Sequence, residues 1–340
     1  MAGASAYGDE MRIEDVDPDD DGALQAFHAH EARVAAADPY DVVWTLDEMR
    51  VRARTRDPWV ERTFVWARDD DGAVVATAQL ERPLRDNTDT ATVDLRIDPR
   101  RRADAGSFLD HLAHRVRLAG RSRLEVGARW SPDETASPDA ELLRVHGFRL
   151  GLVAAQRVLD LPAEDEHLVR LAERSAPHHA AYALRTWRGP VPEDVLDAYA
   201  GLRSLMRVEA PSGDMGWEPE DFPTSRVREE ERRLAEQRRT SITTVAVAAD
   251  GTVVGHTQIV VPGTDPVNAF QWDTLVLASH RGHRLGIGMK VQNLRRAGAE
   301  LGERSLLHTW NAADNAPMVA VNEAMGFRLV AYDGVFSRAL

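Results

Sequence analysis

The chain has 340 residues, enough for two ordinary domains, and no cysteine, which rules out disulfides, thiolate catalysis and cysteine metal sites. Its 43% hydrophobic and 29% charged residues describe a water-soluble globular protein, and no apolar run approaches the roughly 20 residues that span a bilayer. A net charge of −13 argues against non-specific nucleic-acid binding and leaves room for a cationic or amine ligand.

In chain order, Met1–Asp9 reads as a loose terminus. It lacks a basic stretch followed by an apolar one, so no secretory leader is expected and a cytoplasmic location is. Helices are expected at Ala23–Ala36 and Leu46–Arg54, then strands at Thr63–Ala67, Ala73–Leu80 and Ala91–Ile97, the first pair joined through Asp-Gly. A helix at Ser107–Ala119, a strand at Arg123–Gly127, a helix at Pro138–Val145 and a strand at Gly151–Leu161 follow. The charged, alanine-rich, histidine-bearing stretch 162–180 reads as a connector, helical in part. A strand at Tyr182–Thr186 and a helix at Pro192–Met206 come next, with Pro192 in the first turn and Glu193 and Asp194 favouring the N-terminal end. Beyond the acidic loop Arg207–Pro223, the charged helix Ser225–Arg239 reads as a solvated face. Strands at Ser241–Ala248, Thr252–Val261 and Phe270–Leu277, a helix at Gly286–Leu301, a strand at Ser305–Trp310 and a helix at Ala316–Met325 lead to closing strands over Phe327–Leu340.

An internal repeat runs through this order. DGAVVATAQL at Asp71–Leu80 returns as DGTVVGHTQI at Asp250–Ile259, and the same offset carries Asp94 to Asp273, Arg102 to Arg281 and Gly147-Phe148 to Gly326-Phe327. Two copies of one unit are expected: 1–161, the connector 162–180, and 181–340.

The second copy holds the distinctive stretch Gln271–Lys290, QWDTLVLASHRGHRLGIGMK. A β-branched run feeds a loop with His280, Arg281 and His283, and Gly286 and Gly288 then open a helical pattern. Outward-facing N–H groups at a glycine-opened helix N-terminus suit a phosphate. The spacing fits neither G-x-x-x-x-G-K-[ST] nor G-x-G-x-x-G. The segment resembles the acyl-CoA pyrophosphate loop of the GNAT N-acyltransferase superfamily, [QR]-x-x-G-x-[GA], with His283 where glutamine or arginine is usual. TWNAADNAPMVAVNEAMGFRL, Thr309–Leu329, is similar to the family's fifth strand, asparagine-bearing helix and closing Gly-Phe. In the first copy the three loop glycines become Ala103, Ser107 and Leu109, Asp104 enters the loop, and Pro132 and Ala136 replace Asn311 and Asn315. This copy reads as a worn duplicate, similar to the duplication of the mycothiol synthases.

The resemblance implies an α/β (α+β) fold of two tandem GNAT domains, each a mixed, mostly antiparallel sheet flanked by helices. It implies acetyl-CoA as co-substrate, held by Thr274, Leu275 and Val276 along the pantetheine and by Arg281, Gly282, His283, Arg284, Leu285, Gly286, Ile287 and Gly288 around the pyrophosphate. Asn311 and Asn315 would bond the cofactor or hold the strands apart; Asn315 before Ala316-Pro317 also reads as a plain helix N-cap. Where many members carry an acidic tyrosine stands Asn322, and Tyr332, the only tyrosine after Tyr199, falls in a closing strand.

Asp273 is the first candidate base, and it reads also as a structural strand acid because Asp94 repeats it. His256 is the runner-up, with His308, and either reads also as a packed histidine. Glu209, Asp214 and Trp217 would meet a cationic acceptor, or form a solvated acidic loop. No metal spacing involves His280 or His283, so no metal is expected. The leading expectation is transfer of an acetyl group to a small-molecule amine by a monomer or homodimer, without nucleic-acid or membrane partners. The alternatives are a non-catalytic acyl-CoA-binding module and a scaffold.

Overall fold

The structure is a computed structural model that describes residues 11–134 and 137–340; Met1–Asp9 and Ala136 fall outside the described residues. Residues up to Trp130, with Glu134–Gly151 and Gly334–Leu340, form one unit, and Ser131–Asp133 with Leu152–Asp333 form a second.

The first unit runs β1 (Arg12–Asp15), α1 (Asp21–Ala35), α2 (Leu46–Arg54), β2 (Val60–Arg68), β3 (Val74–Pro83), β4 (Thr90–Ile97), α3 (Ala105–Leu118), β5 (Arg123–Trp130) and α4 (Pro138–Val145). Then come β6 (Arg149–Asp160), α5 (Asp165–Ser175), β7 (Ala183–Arg188), α6 (Glu193–Ser204), α7 (Met206–Glu209), α8 (Thr224–Glu236), β8 (Arg239–Val247), β9 (Val253–Pro262), β10 (Asn268–Val276), α9 (Leu285–Leu301), β11 (Leu306–Ala312), α10 (Ala316–Ala324) and β12 (Arg328–Ala339). The strand β1 was not anticipated from the sequence. The repeat is exact in three strand pairs: β2 falls on β8, β3 on β9 and β6 on β12 in one constant register. Both hairpins turn through Asp-Gly, where Gly72 and Gly251 sit at φ 81° and 88°, a region that glycine enters without strain.

Each unit has a mixed, mostly antiparallel sheet. In the first, β1 to β4 pair antiparallel in sequence order, and β4 pairs parallel with β5 over Thr90–Val93 and Arg123–Val126. In the second, β7 to β10 pair antiparallel, β10 pairs parallel with β11, and β11 pairs antiparallel with β6. Repeat register and spatial grouping part company at the last strand of each copy. Leu152–Asp160 of β6 belongs with the second unit, whereas Gly334–Leu340 at the chain end belongs with the first, where Phe336 is fully buried among Leu109, Leu112 and Leu124.

Two stretches differ from their sequence reading. The connector is partly helical, as expected, but its α5 packs Leu168 and Leu171 against Val291 and Leu294 of α9, so it is part of the second unit's core. Helix α8 is not solvated all round: Val227 and Leu234, two turns apart, are buried, and Val227 joins Tyr199 and Phe222.

The first unit buries one carboxyl at a cost. Glu31 on α1 is 1% exposed, accepts from Gln79 Nε2 at 3.0 Å, and is pushed up to about 8 by burial and by the charge of Asp94. The folded state therefore binds this proton between the ordinary carboxyl range and about 8, and stability falls as pH rises through that window. Glu31→Gln is expected to flatten this slope and to raise stability at pH 8 by on the order of 3 kcal/mol. Urea unfolding at pH 5 and pH 8 checks it; an equal effect at both values would refute the assignment.

Candidate functional site

The second unit's site begins where β10 and β11 part. They pair in register only over Asn268–Gln271 and Leu306–Thr309. Between Gln271 and Thr274 the β9–β10 register shifts, and Gln271 holds the bulge by donating to Thr257 Oγ1 at 3.0 Å and Gln258 O at 2.7 Å. Past the bulge Thr274, Leu275 and Val276 remain paired with β9, and their other backbone edge has no β11 partner among the described residues. Gly255 makes room for this strand: a Cβ there would meet Leu275 O at 2.8 Å.

The strand leads through a turn at Ala278–His280 into the basic loop. Gly282 takes φ 85° and Arg284 the left-handed φ 52°, which turns the chain into α9. Among the described residues no side chain caps that end. The first intrahelical bond runs from Gly288 N to Arg284 O at 3.0 Å, so the amides of Leu285, Gly286 and Ile287 are left without intrahelical acceptors. A Cβ on Gly286 would meet only Val321 Cγ2, at 3.9 Å, whereas one on Gly288 would lie 2.9 Å from the His179 ring. Outward amides, an open glycine and a helix dipole fit a phosphate.

The loop's side chains divide. His280 Nδ1 lies 3.0 Å from the Tyr182 hydroxyl, and the His283 ring lies 5.4 Å from the Tyr182 ring. Arg284 donates to Arg174 O at 3.2 Å. Arg281 donates to Val276 O at 3.1 Å and to Glu209 Oε2 at 2.6 Å, so an expected anion-binding arginine and an expected acceptor-binding carboxylate are each other's partners. The rest of the acidic loop is similarly engaged. Glu220 takes Arg207 and Arg226 at 2.8 and 3.0 Å, and Arg207 stacks 4.4 Å over Trp217, while Asp214 is exposed. This is a charge-balanced wall rather than a bare acidic one.

On the other face of β10, Asp273 lies 3.6 Å from Arg203, which donates to Glu230 Oε2 at 3.1 Å and stacks 4.3 Å over Phe222. The Asp273 side chain is 47% exposed, at the open side of a cluster in which Arg203 and Phe222 are buried and Glu230 is half-buried. The surrounding protein raises its carboxyl above the usual range, against the pull of Arg203 and helped by Glu230. Removal of water dominates for its neighbour too: His256 is fully buried against the Tyr199 ring at 5.5 Å, and desolvation, with Arg203 adding, pushes it down to about 3. His256 is thus a neutral core histidine near neutral pH. His308 is likewise buried, between Gln156 at 3.0 Å and Asn268 at 2.8 Å.

Asn315 caps α10, accepting from Met318 N at 3.3 Å with Pro317 in the first turn. Asn311, on β11 just past the last β10 partner, accepts from Arg157 Nη1 at 3.3 Å and Asn322 Nδ2 at 3.1 Å. Asn322 in turn accepts from Lys290 Nζ at 2.7 Å. Sequence reasoning missed Arg157, Arg203 and Lys290 as site neighbours; only Lys290 carried a signal, as the sole lysine in an arginine-rich chain.

The first copy's equivalent loop has no spare cation. Arg100 pairs with Asp98 at 2.8 Å, Arg101 with Asp104 at 2.6 Å and Arg102 with Asp139 at 2.5 Å, and Gly106 packs against the His146 ring. Asp98 is held well below the carboxylate range by its arginines. Among the described residues no cluster of histidine and carboxylate suits a metal ion, and no helix is long and apolar enough to cross a membrane.

A chain with two copies of this sheet, one ending in splayed strands over a glycine-opened helix, has the tandem GNAT fold, and its structural neighbours are GCN5-related N-acetyltransferases. A tandem GNAT protein from the clavulanic acid biosynthesis pathway, solved without acetyl-CoA, superposes with TM-score 0.78 at 25% identity, covering 97% of this chain and 98% of that one. A GCN5-related N-acetyltransferase from Sphaerobacter thermophilus gives 0.64 at 17% identity over 97% and 95% of the two chains. A glucosamine N-acetyltransferase region of a fungal multi-domain β-N-acetylglucosaminidase gives 0.64 at 13% identity, over 97% of this chain and 38% of that one. No family model and no curated protein sequence matches the chain. The fold is one that supports acyl transfer.

Proposed function

We propose that the second unit transfers an acetyl group from acetyl-CoA to the amine of a small molecule, by direct attack in a ternary complex. The observation that carries this is the gap between β10 and β11 opening beside the uncapped N-terminus of α9. Thr274, Leu275 and Val276 would pair with the pantetheine as an added strand, and a backbone N–H of that edge would polarise the thioester carbonyl. The loop Arg281–Gly288 would take the pyrophosphate on the amides of Leu285, Gly286 and Ile287, with His283 and Arg284 nearby and Arg281 bracing Glu209. When bound, acetyl-CoA supplies an activated acyl group on a thiolate leaving group. Asp273, directly or through a water, would accept the proton that the attacking amine loses, and its raised pKa makes it a stronger base than an ordinary carboxylate. Glu209, Asp214 and Trp217 would line the acceptor's approach.

A second reading, a non-catalytic acyl-CoA-binding module, draws on one observation: Asn322 is buried and cannot act as an acid. A panel of primary amines, each mixed with acetyl-CoA and followed by thiol release, decides between them, and this cysteine-free protein adds no thiol of its own. Release with any amine supports the enzyme. Acetyl-CoA binding with no release across peptide, polyamine and aminosugar classes supports the binding module.

A further inference from the structure

A chain of cations and amides, buried apart from the half-buried Asn311, runs beside the gap and has no part in the acyl transfer outlined above. Lys290 is 1% exposed, and its ammonium, with three N–H donors, finds one acceptor among the described residues, Asn322 Oδ1 at 2.7 Å. Asn322, fully buried, passes the polarisation on through Nδ2 to Asn311 Oδ1 at 3.1 Å, and that oxygen also receives Arg157 Nη1 at 3.3 Å. Asn311 spends one N–H on Ala312 O at 2.7 Å. Each amide keeps one uncommitted N–H.

The charges around this chain do not cancel. From α9, Lys290 itself contributes a cation; from β6, Arg157 contributes another. From α10 comes only Glu323, 3.9 Å from Arg157 and 63% exposed, and from the turn before β12 comes the Phe327 ring, 5.3 Å from Nζ. Loss of water lowers the Lys290 pKa to about 7, and no carboxylate restores it. A buried, under-bonded lysine is costly to the fold, and a methionine of similar volume would pack there at less cost. Such a cost is intelligible if an anion arrives. Asn311 stands two residues past Thr309, the last β11 residue paired with β10, so the anion would arrive in the gap.

We propose that Lys290, acting through Asn322 and Asn311, makes the inner wall of the gap the electropositive stabiliser of the CoA thiolate, with Lys290 and Asn322 as positioning residues. This rests on the acyl-CoA reading of the site. When the carbonyl carbon–sulfur bond breaks, its electron pair stays on sulfur. No proton passes along the amides, and the thiolate takes its proton from solvent after release. The tyrosine-like acid that the sequence lacks is then not required.

The thiol of bound CoA reports this without any acceptor. Thiolate absorbance in the ultraviolet, titrated against a protein blank, belongs to CoA alone because the chain has no cysteine. In the wild type the bound thiol is expected to titrate about one unit or more below free CoA, as thiols do beside a lysine. Lys290→Met and Asn322→Leu should return it to the free value while still binding CoA, with melting curves confirming that both are folded. If Lys290→Met does not fold, Lys290→Gln serves in its place. A wild-type thiol that titrates as free CoA, or a depressed value that survives in the variants, overturns the proposal. No CoA binding by the wild type would instead remove the acyl-CoA reading, and this inference with it.

Discussion

Acetyl-CoA at a hundred times its dissociation constant is expected to stabilise the wild-type fold by about 2.7 kcal/mol and to leave Gly286→Glu unshifted. The choice of glycine matters. Gly282 sits at φ 85°, so any side chain there strains the backbone, and a Cβ on Gly288 would collide with His179 at 2.9 Å. Either variant would confuse a folding defect with a binding defect. Gly286 has helical backbone and open space, its nearest obstacle being Val321 Cγ2 at 3.9 Å. A carboxylate at this first turn favours the helix dipole by roughly 0.3–1 kcal/mol, so the variant should fold at least as well as wild type. The same charge would oppose a pyrophosphate on the neighbouring amides. Thermal or urea unfolding with and without acetyl-CoA reads both quantities. A ligand shift in Gly286→Glu equal to that of wild type would place the pyrophosphate elsewhere.

Asp273→Asn is expected to lower kcat by about 10²- to 10⁴-fold, the usual contribution of a positioned base, with little change in acetyl-CoA affinity. The side chain is nearly isosteric and 47% exposed, and Arg203 keeps Glu230 at 3.1 Å, so packing is retained while the proton acceptor is lost. The sign of the pH dependence follows from the environment. A base must be deprotonated, so wild-type kcat should fall as pH drops through the Asp273 pKa, at a value above the ordinary carboxylate range because lost hydration on its inner side outweighs the pull of Arg203. The variant should lack that limb. If it keeps both the rate and the limb, Asp273 is the structural strand acid that its repeat partner Asp94 suggests. His256, neutral and enclosed by Tyr199, would then be no substitute unless the cleft opened.

Local chemistry makes much of this molecule legible in its sequence. Alternating β-branched runs, Asp-Gly turns and a constant repeat register identify both copies, because each is decided within a few neighbouring residues. The α9 loop was readable for the same reason: glycine's access to positive φ and the polarity of a helix end are local properties. Asn315 was read both as a ligand group and as a cap, and the cap is present in the fold.

Only the tertiary structure decided which charges meet. Arg281 and Glu209 are far apart in sequence, and their pairing depends on where α7 ends beside the loop after β10. The grouping of Leu152–Asp160 with the second unit and of Gly334–Leu340 with the first depends on strand pairing, which sequence periodicity leaves open because either last strand carries the same pattern. That pairing brings Arg157, from the first repeat, to Asn311 in the second. Lys290 shows the difference most plainly. Composition marks it as the only lysine, but its burial, its single acceptor among the described residues and its place beside the gap arise from how α9 and α10 pack against each other. A residue's partners are set by the chain's long-range contacts, and those are what a pattern of neighbours cannot encode.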